Sequence, residues 1–261
     1  MGIGSICCIV GINCNNWIKN TKENFKRCKI DNSFLIVVEN GNGIGLWGDP
    51  GPNEVVIQSD VGASEYINAG LEYIRKNGSP DDWFVKFDSD DYYGKNRLKQ
   101  IKKVALNGYV ACGASNIIVK TENDKMLLIG DSNSDSCIIK HIPHGPTLAG
   151  RISHAIDFPK PNEDWGEDAM WVNAMRESGV VFGQLPYSSF AYVRHNEGTH
   201  TFPIPNDLIR HIWVEKAYDI GEWDEEVVEG DKPISYKKEI PFDVFKMHEA
   251  CEHMLNLYLS K

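Results

Sequence analysis

The stretch Trp83-Phe84-Val85-Lys86-Phe87-Asp88-Ser89-Asp90-Asp91-Tyr92-Tyr93 decides how this chain is read. Its first five residues form an apolar run of strand length, and a run that is apolar on both faces belongs inside a parallel sheet. Directly behind it come three carboxylates within four residues. These groups repel one another, and the carboxyl end of a central strand is where α/β sheets bind ligands. Hard oxygen donors packed this closely suit Mg2+ or Mn2+, ions held by one or two carboxylates together with substrate phosphates. The same residues also read as a polar turn into the next helix, with Asp91 or Asn96 as its N-cap.

Working outward, Ile6 to Val10, Phe34 to Val38 and Glu54 to Gln58 repeat the strand pattern. Ala63, Tyr66, Ile67, Gly70, Leu71 and Ile74 fall on one helix face, which stops at Asn77-Gly78-Ser79-Pro80. A second helix is expected from Asn96 to about Leu106, with Leu98, Ile101, Val104 and Ala105 inward. This alternation implies βαβ units. Later residues are less regular. Tyr109 to Ala111, Ile117 to Lys120, Met126 to Ile129 and Phe190 to Val193 read as short strands, with a hairpin around Glu122-Asn123-Asp124. Ala169 to Glu177 reads as an amphipathic helix entered through Asp164-Trp165-Gly166, and Val244 to Tyr258 carries helical spacing. The expectation is an α/β protein, a mostly parallel sheet flanked by helices, with a C-terminal helical segment.

Composition narrows the function. The 261 residues hold 27 Lys+Arg against 37 Asp+Glu, a net charge of −10. With a pI near 5.3, tight nonspecific binding to nucleic acid is not expected. The basic stretch Lys95, Arg97, Lys99, Lys102, Lys103 therefore reads as a solvated helix face. A mean hydropathy of −0.35 without low-complexity tracts argues against disorder. The apolar runs are far shorter than the roughly 20 residues of a membrane span. The first residues lack a basic region and read as a strand, not a signal peptide. Seven cysteines without a Cys-x-x-Cys pair suit reduced thiols in the cytoplasm. Gly43-Ile44-Gly45-Leu46-Trp47-Gly48 spells a dinucleotide fingerprint, but Asp49-Pro50-Gly51-Pro52 follows where a helix must open, so it reads as a loop. His141 and His144 lack the cysteine partners of a zinc site.

The order of these features resembles the family two glycosyltransferases, inverting enzymes of GT-A fold that use nucleotide-sugars. The resemblance runs over residues 5 to about 200. It rests on the strand and polar loop Ile6 to Asn16, on Val37-Val38-Glu39-Asn40-Gly41, and on Asp60 to Gly70 where the family shows Asn-x-Gly-x-x-x-Ala-x-Asn-x-Gly. It continues with Asp88-Ser89-Asp90 as Asp-x-Asp, Gly166-Glu167-Asp168 opening a helix, and Tyr192-Val193-Arg194-His195. The chain departs from the pattern at Ile67, where the family often has Arg, and at Glu39-Asn40, where Asp-Asp is commoner.

The resemblance implies that Asp90 ligates Mn2+ or Mg2+, with His195 (or His200) as the last ligand. Asp88 would face the ribose or sugar, Glu39 the nucleotide base, and Gly11, Asn13 and Asn68 the rest of the donor. Asp168 would be the base that deprotonates the acceptor hydroxyl, and Gly145 to Thr147 would pass the donor sugar. It implies a GT-A domain over residues 1–200, with 1–115 as the nucleotide-sugar half, 116–200 as the acceptor half, and 201–261 as an extension packed on it. The implied donor is a UDP-sugar. The acceptor stays open among a glycan, a lipid-linked sugar, a protein and a modified base. An inactive GT-A domain that binds nucleotide or glycan is the alternative, and a nucleotidyltransferase a weaker one, since residues 1 to 16 hold no Arg or Lys.

Overall fold

The computed structural model describes residues 3–59, 65–121, 123–130, 142–160, 166–194, 216–235, 237–240 and 246. The chain runs β1 (Ile6–Ile12), α1 (Ile18–Cys28), β2 (Ser33–Asn40), β3 (Glu54–Ser59), α2 (Tyr66–Asn77), β4 (Trp83–Phe87), β5 (Tyr92–Tyr93) and α3 (Arg97–Leu106). It continues with β6 (Ala111–Gly113), β7 (Ile117–Lys120), β8 (Lys125–Ile129), β9 (Ala149–Arg151), α4 (Glu167–Glu177), β10 (Phe182–Gln184) and β11 (Phe190–Val193). Then come β12 (Ala217–Glu222), α5 (Glu225–Glu229) and β13 (Lys238–Ile240).

Seven strands form the main sheet in the order β10-β6-β9-β4-β1-β2-β3. All its pairings are parallel except those of β9 with β4 and β6. Strand β1 is buried on both faces. Ile6, Cys8, Val10 and Ile12 point into one core with Phe25 and Cys28 of α1 and Leu98 and Ile101 of α3. Cys7 and Ile9 point into the other, with Ile67, Leu71 and Ile74 of α2 and Trp171, Val172 and Met175 of α4. Helices thus cover both faces, as a parallel sheet requires. Because β2 lies on one side of β1 and β4 on the other, strand order reverses between β1 and β4. The crevice at their carboxyl ends is the place where such sheets bind ligands.

A second, six-stranded sheet runs β13-β12-β8-β7-β11-β5. The hairpin expected around Asp124 is there, β7 pairing antiparallel with β8 and Asp124 in the left-handed region at φ 53°. This sheet takes in β5, so it begins directly behind the carboxylates.

Some expectations shift. Helix α1 was not anticipated, because its inward face carries Thr21 and Asn24 beside Phe25 and Cys28. The strand expected at Tyr109 to Ala111 lies two residues later. Asn96 precedes α3 but its side chain caps nothing, and Asp91 is in the core rather than at a cap. The helical spacing at 244–258 falls outside the described residues, apart from residue 246. Among the described residues, Cys7, Cys8, Cys14, Cys28 and Cys112 are free thiols, and no helix is long and apolar enough to cross a membrane.

Packing of α2 on β1 depends on Gly70, where an added Cβ would stand 2.4 Å from Ile9 Cγ2. Overpacking costs about 1–3 kcal/mol, against about 1 kcal/mol gained in helix propensity. Gly70→Ala is therefore expected to lower stability, read as a reduced urea midpoint at unchanged slope.

Candidate active site

The carboxylates behind β4 are held as a rigid turn. Tyr93 stacks on Phe87 with ring centroids 3.9 Å apart. Its hydroxyl accepts a hydrogen bond from the Asp88 amide at 2.9 Å and donates to the Pro146 carbonyl at 3.1 Å. From α1, Asn20 donates to the carbonyls of Ser89 and Asp91, and Asn24 donates to that of Asp91 as well. This is why α1 buries asparagines. It binds the turn's backbone, and the backbone then aims the acids.

The three acids are not equivalent. Asp91 is fully buried and its Oδ1 accepts the Val193 amide at 2.9 Å, tying the turn to β11. Burial, then Asp90 and Asp88, push its carboxyl well above the usual range. Asp90 is partly buried, and burial and the neighbouring Asp88 raise its carboxyl to about 6. Asp88 Oδ1 accepts from the Tyr66 hydroxyl at 3.0 Å and lies 3.2 Å from Lys86 Nζ. Among the described residues no cluster of three His, Cys, Asp or Glu is arranged to hold a metal. The turn's oxygen-only donors, with negative charge in excess, nevertheless suit an ion that completes its shell from a substrate's phosphates.

Lys86 is the residue that sequence reasoning missed. It sits in β4 with its side chain 5% exposed, and it bridges Asp88 to Asp168 Oδ2, 3.1 Å away. Burial works against its charge, but Asp168 and Asp88 together raise the ammonium well above its ordinary value. The signal was a single charge inside an apolar strand. On α4, Asp168 lies in the first helical turn, where the helix dipole favours an anion. Burial raises its carboxyl while Lys86 pulls it back. Its Oδ1 is buried and has no hydrogen-bond partner among the described residues. Beside it, burial and Asp168 raise Glu167 to about 7.

The other expected residues have other surroundings. Gly11 lets the Tyr66 ring lie on β1, since a Cβ there would stand 2.8 Å from Tyr66 Cγ. Asn13 is exposed just past β1. Both oxygens of Glu39 are occupied by its own loop, Oε2 by the Gly45 amide at 2.8 Å and Oε1 by the Trp47 amide at 2.6 Å. Asn68 bonds both the amide and the carbonyl of Phe158, so it fastens α2 to the segment before α4. Ile67 faces the core, fully buried. His195, His200, Asp60 to Ser64 and Trp165 fall outside the described residues.

No family model matches the sequence, and no curated protein does. Solved structures do match. Residues 1–349 of S. aureus TarS align with a TM-score of 0.51 at 16% identity, over 72% of this chain and 60% of that one. The same protein in complex with UDP aligns at 0.51 and 15%, over 73% and 60%. The mannosyltransferase PcManGT from Pyrobaculum calidifontis, in complex with GDP-Man and Mn2+, aligns at 0.54 and 14%, over 81% and 60%. This chain has a glycosyltransferase fold. At these identities the likeness is one of fold, and the chain spans about 60% of the length of each of these structures.

Gly145 presses on the site from the turn before β9. An added Cβ would stand 1.8 Å from Asp168 Oδ2, the oxygen that Lys86 holds. The carboxylate is a movable side-chain end, but moving it breaks a buried ion pair, so Gly145→Ala is expected to fold with a lowered urea midpoint. A crystal structure of the variant is expected to show the Lys86–Asp168 contact broken.

Proposed function

We propose that the protein is a metal-dependent, inverting glycosyltransferase that moves a sugar from a UDP-sugar to an acceptor hydroxyl. The observation that carries this reading is the state of Asp168. One oxygen is anchored by Lys86, and the other is buried with no hydrogen-bond partner among the described residues, across a short ionic bridge from the Asp88 turn. A carboxylate so placed can take a proton from an attacking hydroxyl. The acceptor oxygen then bonds to the anomeric carbon as the bond to the diphosphate breaks, and inversion follows from attack opposite the leaving group.

Charge develops at the departing diphosphate in this step, and a divalent ion, when bound, supplies Lewis-acid neutralisation there. Asp90 would hold it, with His195 as the further ligand the resemblance implies. Tyr66 and Lys86 both hold Asp88 by its Oδ1, and Asp88 would face the ribose or sugar of the donor. The UDP and the GDP-Man with Mn2+ in the neighbouring structures are in keeping with such a donor. The buried free thiols Cys7, Cys8, Cys28 and Cys112 suit a reducing, cytoplasmic compartment.

A second reading, a domain that binds nucleotide without turnover, draws on Glu39, whose carboxylate is spent on its own loop. One experiment separates the two. Thermal unfolding is followed with UDP-, GDP-, CMP- and dTDP-sugars, each with Mn2+ and with chelator, alongside release of nucleoside diphosphate. Saturation at 100 times the dissociation constant stabilises by about 2.7 kcal/mol. The expected outcome is a UDP-sugar shift abolished by chelator and by Asp90→Ala. Asp168→Asn is expected to retain the shift and lose turnover by about 10²–10⁴-fold. Full turnover in Asp168→Asn would remove the base, and a shift without any turnover in the native chain would favour the binding module.

A further inference from the structure

Side chains along β4 alternate between the two cores, so Phe84 and Lys86 face α4 while Trp83, Val85 and Phe87 face away. The α4 face answers in register. Trp171 meets Phe84 edge-on at 5.5 Å, and Asp168, one helical turn earlier, meets Lys86 at 3.1 Å. Helix α4 is thus docked on β4 at one apolar and one ionic point. The ionic point is shared with Asp88, 3.2 Å from the same ammonium. The Lys86 amide also donates to the Leu148 carbonyl at 2.9 Å, next to the turn whose Gly145 abuts Asp168.

We propose that Lys86 is a positioning residue of this site: its ammonium joins the Asp88 turn to Asp168, supplies the counter-charge of both, and by holding Oδ2 of Asp168 leaves the second oxygen without a hydrogen-bond partner among the described residues. Resting on the reading of Asp168 as base, this adds the group that makes it one. A plain tether would need no charge here, since Phe84 and Trp171 already dock the helix through apolar contact. A buried lysine without carboxylate partners would tend to lose its proton. Two carboxylates converge on Lys86 from different elements, so the charge is kept on both sides of the crevice. The groups facing Asp168 are Lys86 and Asp88 from the β4 end and Tyr66 from α2, with Glu167 beside it on α4.

The test reads Asp168 without substrate. The full chain is labelled with ¹³C at aspartate carboxyl carbons, and the Asp168 signal is identified by its loss in Asp168→Asn. Removing the cation disfavours the ionised form, so the midpoint is expected to rise by about one unit or more in Lys86→Met, a tenfold loss of carboxylate at a given pH below it. Lys86→Gln, which keeps a hydrogen-bond donor without the charge, is expected to show the same rise. Asp88→Asn leaves Lys86 to Asp168 alone and removes a like charge, so the midpoint is expected to fall. A midpoint unmoved in Lys86→Met, or one restored by Lys86→Gln, would overturn the proposal. Should the lysine variants fail to fold, Asp88→Asn decides by itself, an unmoved midpoint again overturning it. Absence of turnover in the native chain would sink the base and leave this result standing, so the two failures are told apart.

Discussion

A positive charge in the middle of a strand covered on both faces is stable only beside negative ones. In this protein that requirement joins two parts of the chain eighty-two residues apart, Lys86 and Asp168. The strand contributes Asp88 from its end, the helix contributes Asp168 from its first turn, and neither carboxylate is placed independently of the other. Everything around them serves this contact. Tyr66 crosses Gly11 to reach Asp88, Tyr93 joins the Asp88 amide to the turn at Pro146, and Gly145 leaves the space that Asp168 occupies. The crevice between β1 and β4 is therefore an electrostatic unit built on a sheet that was apolar by necessity.

Much of this was legible. The strands at Trp83–Phe87, Ile117–Lys120 and Phe190–Val193 coincide with what periodicity alone indicates, because long apolar runs with clear stops leave little choice of structure. Elements made of small or polar residues were not legible. Strands β9 and β10, Ala-Gly-Arg and Phe-Gly-Gln, have no pattern outside their sheet. Helix α1 turns Thr21 and Asn24 inward to meet carbonyls 68 and 67 residues away, and no local rule anticipates a partner that distant.

The site divides the same way. Asp88, Asp90 and Asp168 stood out because clustered or helix-opening acids carry a recognisable chemistry. Their supports did not. Tyr66, Tyr93, Asn20 and Asn24 are ordinary residues until folding sets them beside the acids. Lys86 was visible as an anomaly but passed as part of an apolar run. Glu39 shows the converse, a residue marked by its position whose carboxylate braces the glycine-rich loop after β2. Of three adjacent carboxylates, the one at Asp91 became a structural tie to β11.

The asparagines of α1 have one more consequence. The Asp91 carbonyl accepts two amide donors, and the Ser89 carbonyl takes a third from Asn20. Main-chain oxygens that would otherwise enlarge a coordination shell are already engaged. Calcium gathers six to eight oxygens in a loose shell, commonly including backbone carbonyls, whereas magnesium keeps a compact octahedron with several waters. Under the proposed function, a turn whose carbonyls are engaged in this way would favour small ions of low coordination number, and the helix that engages them would do so without touching the ion.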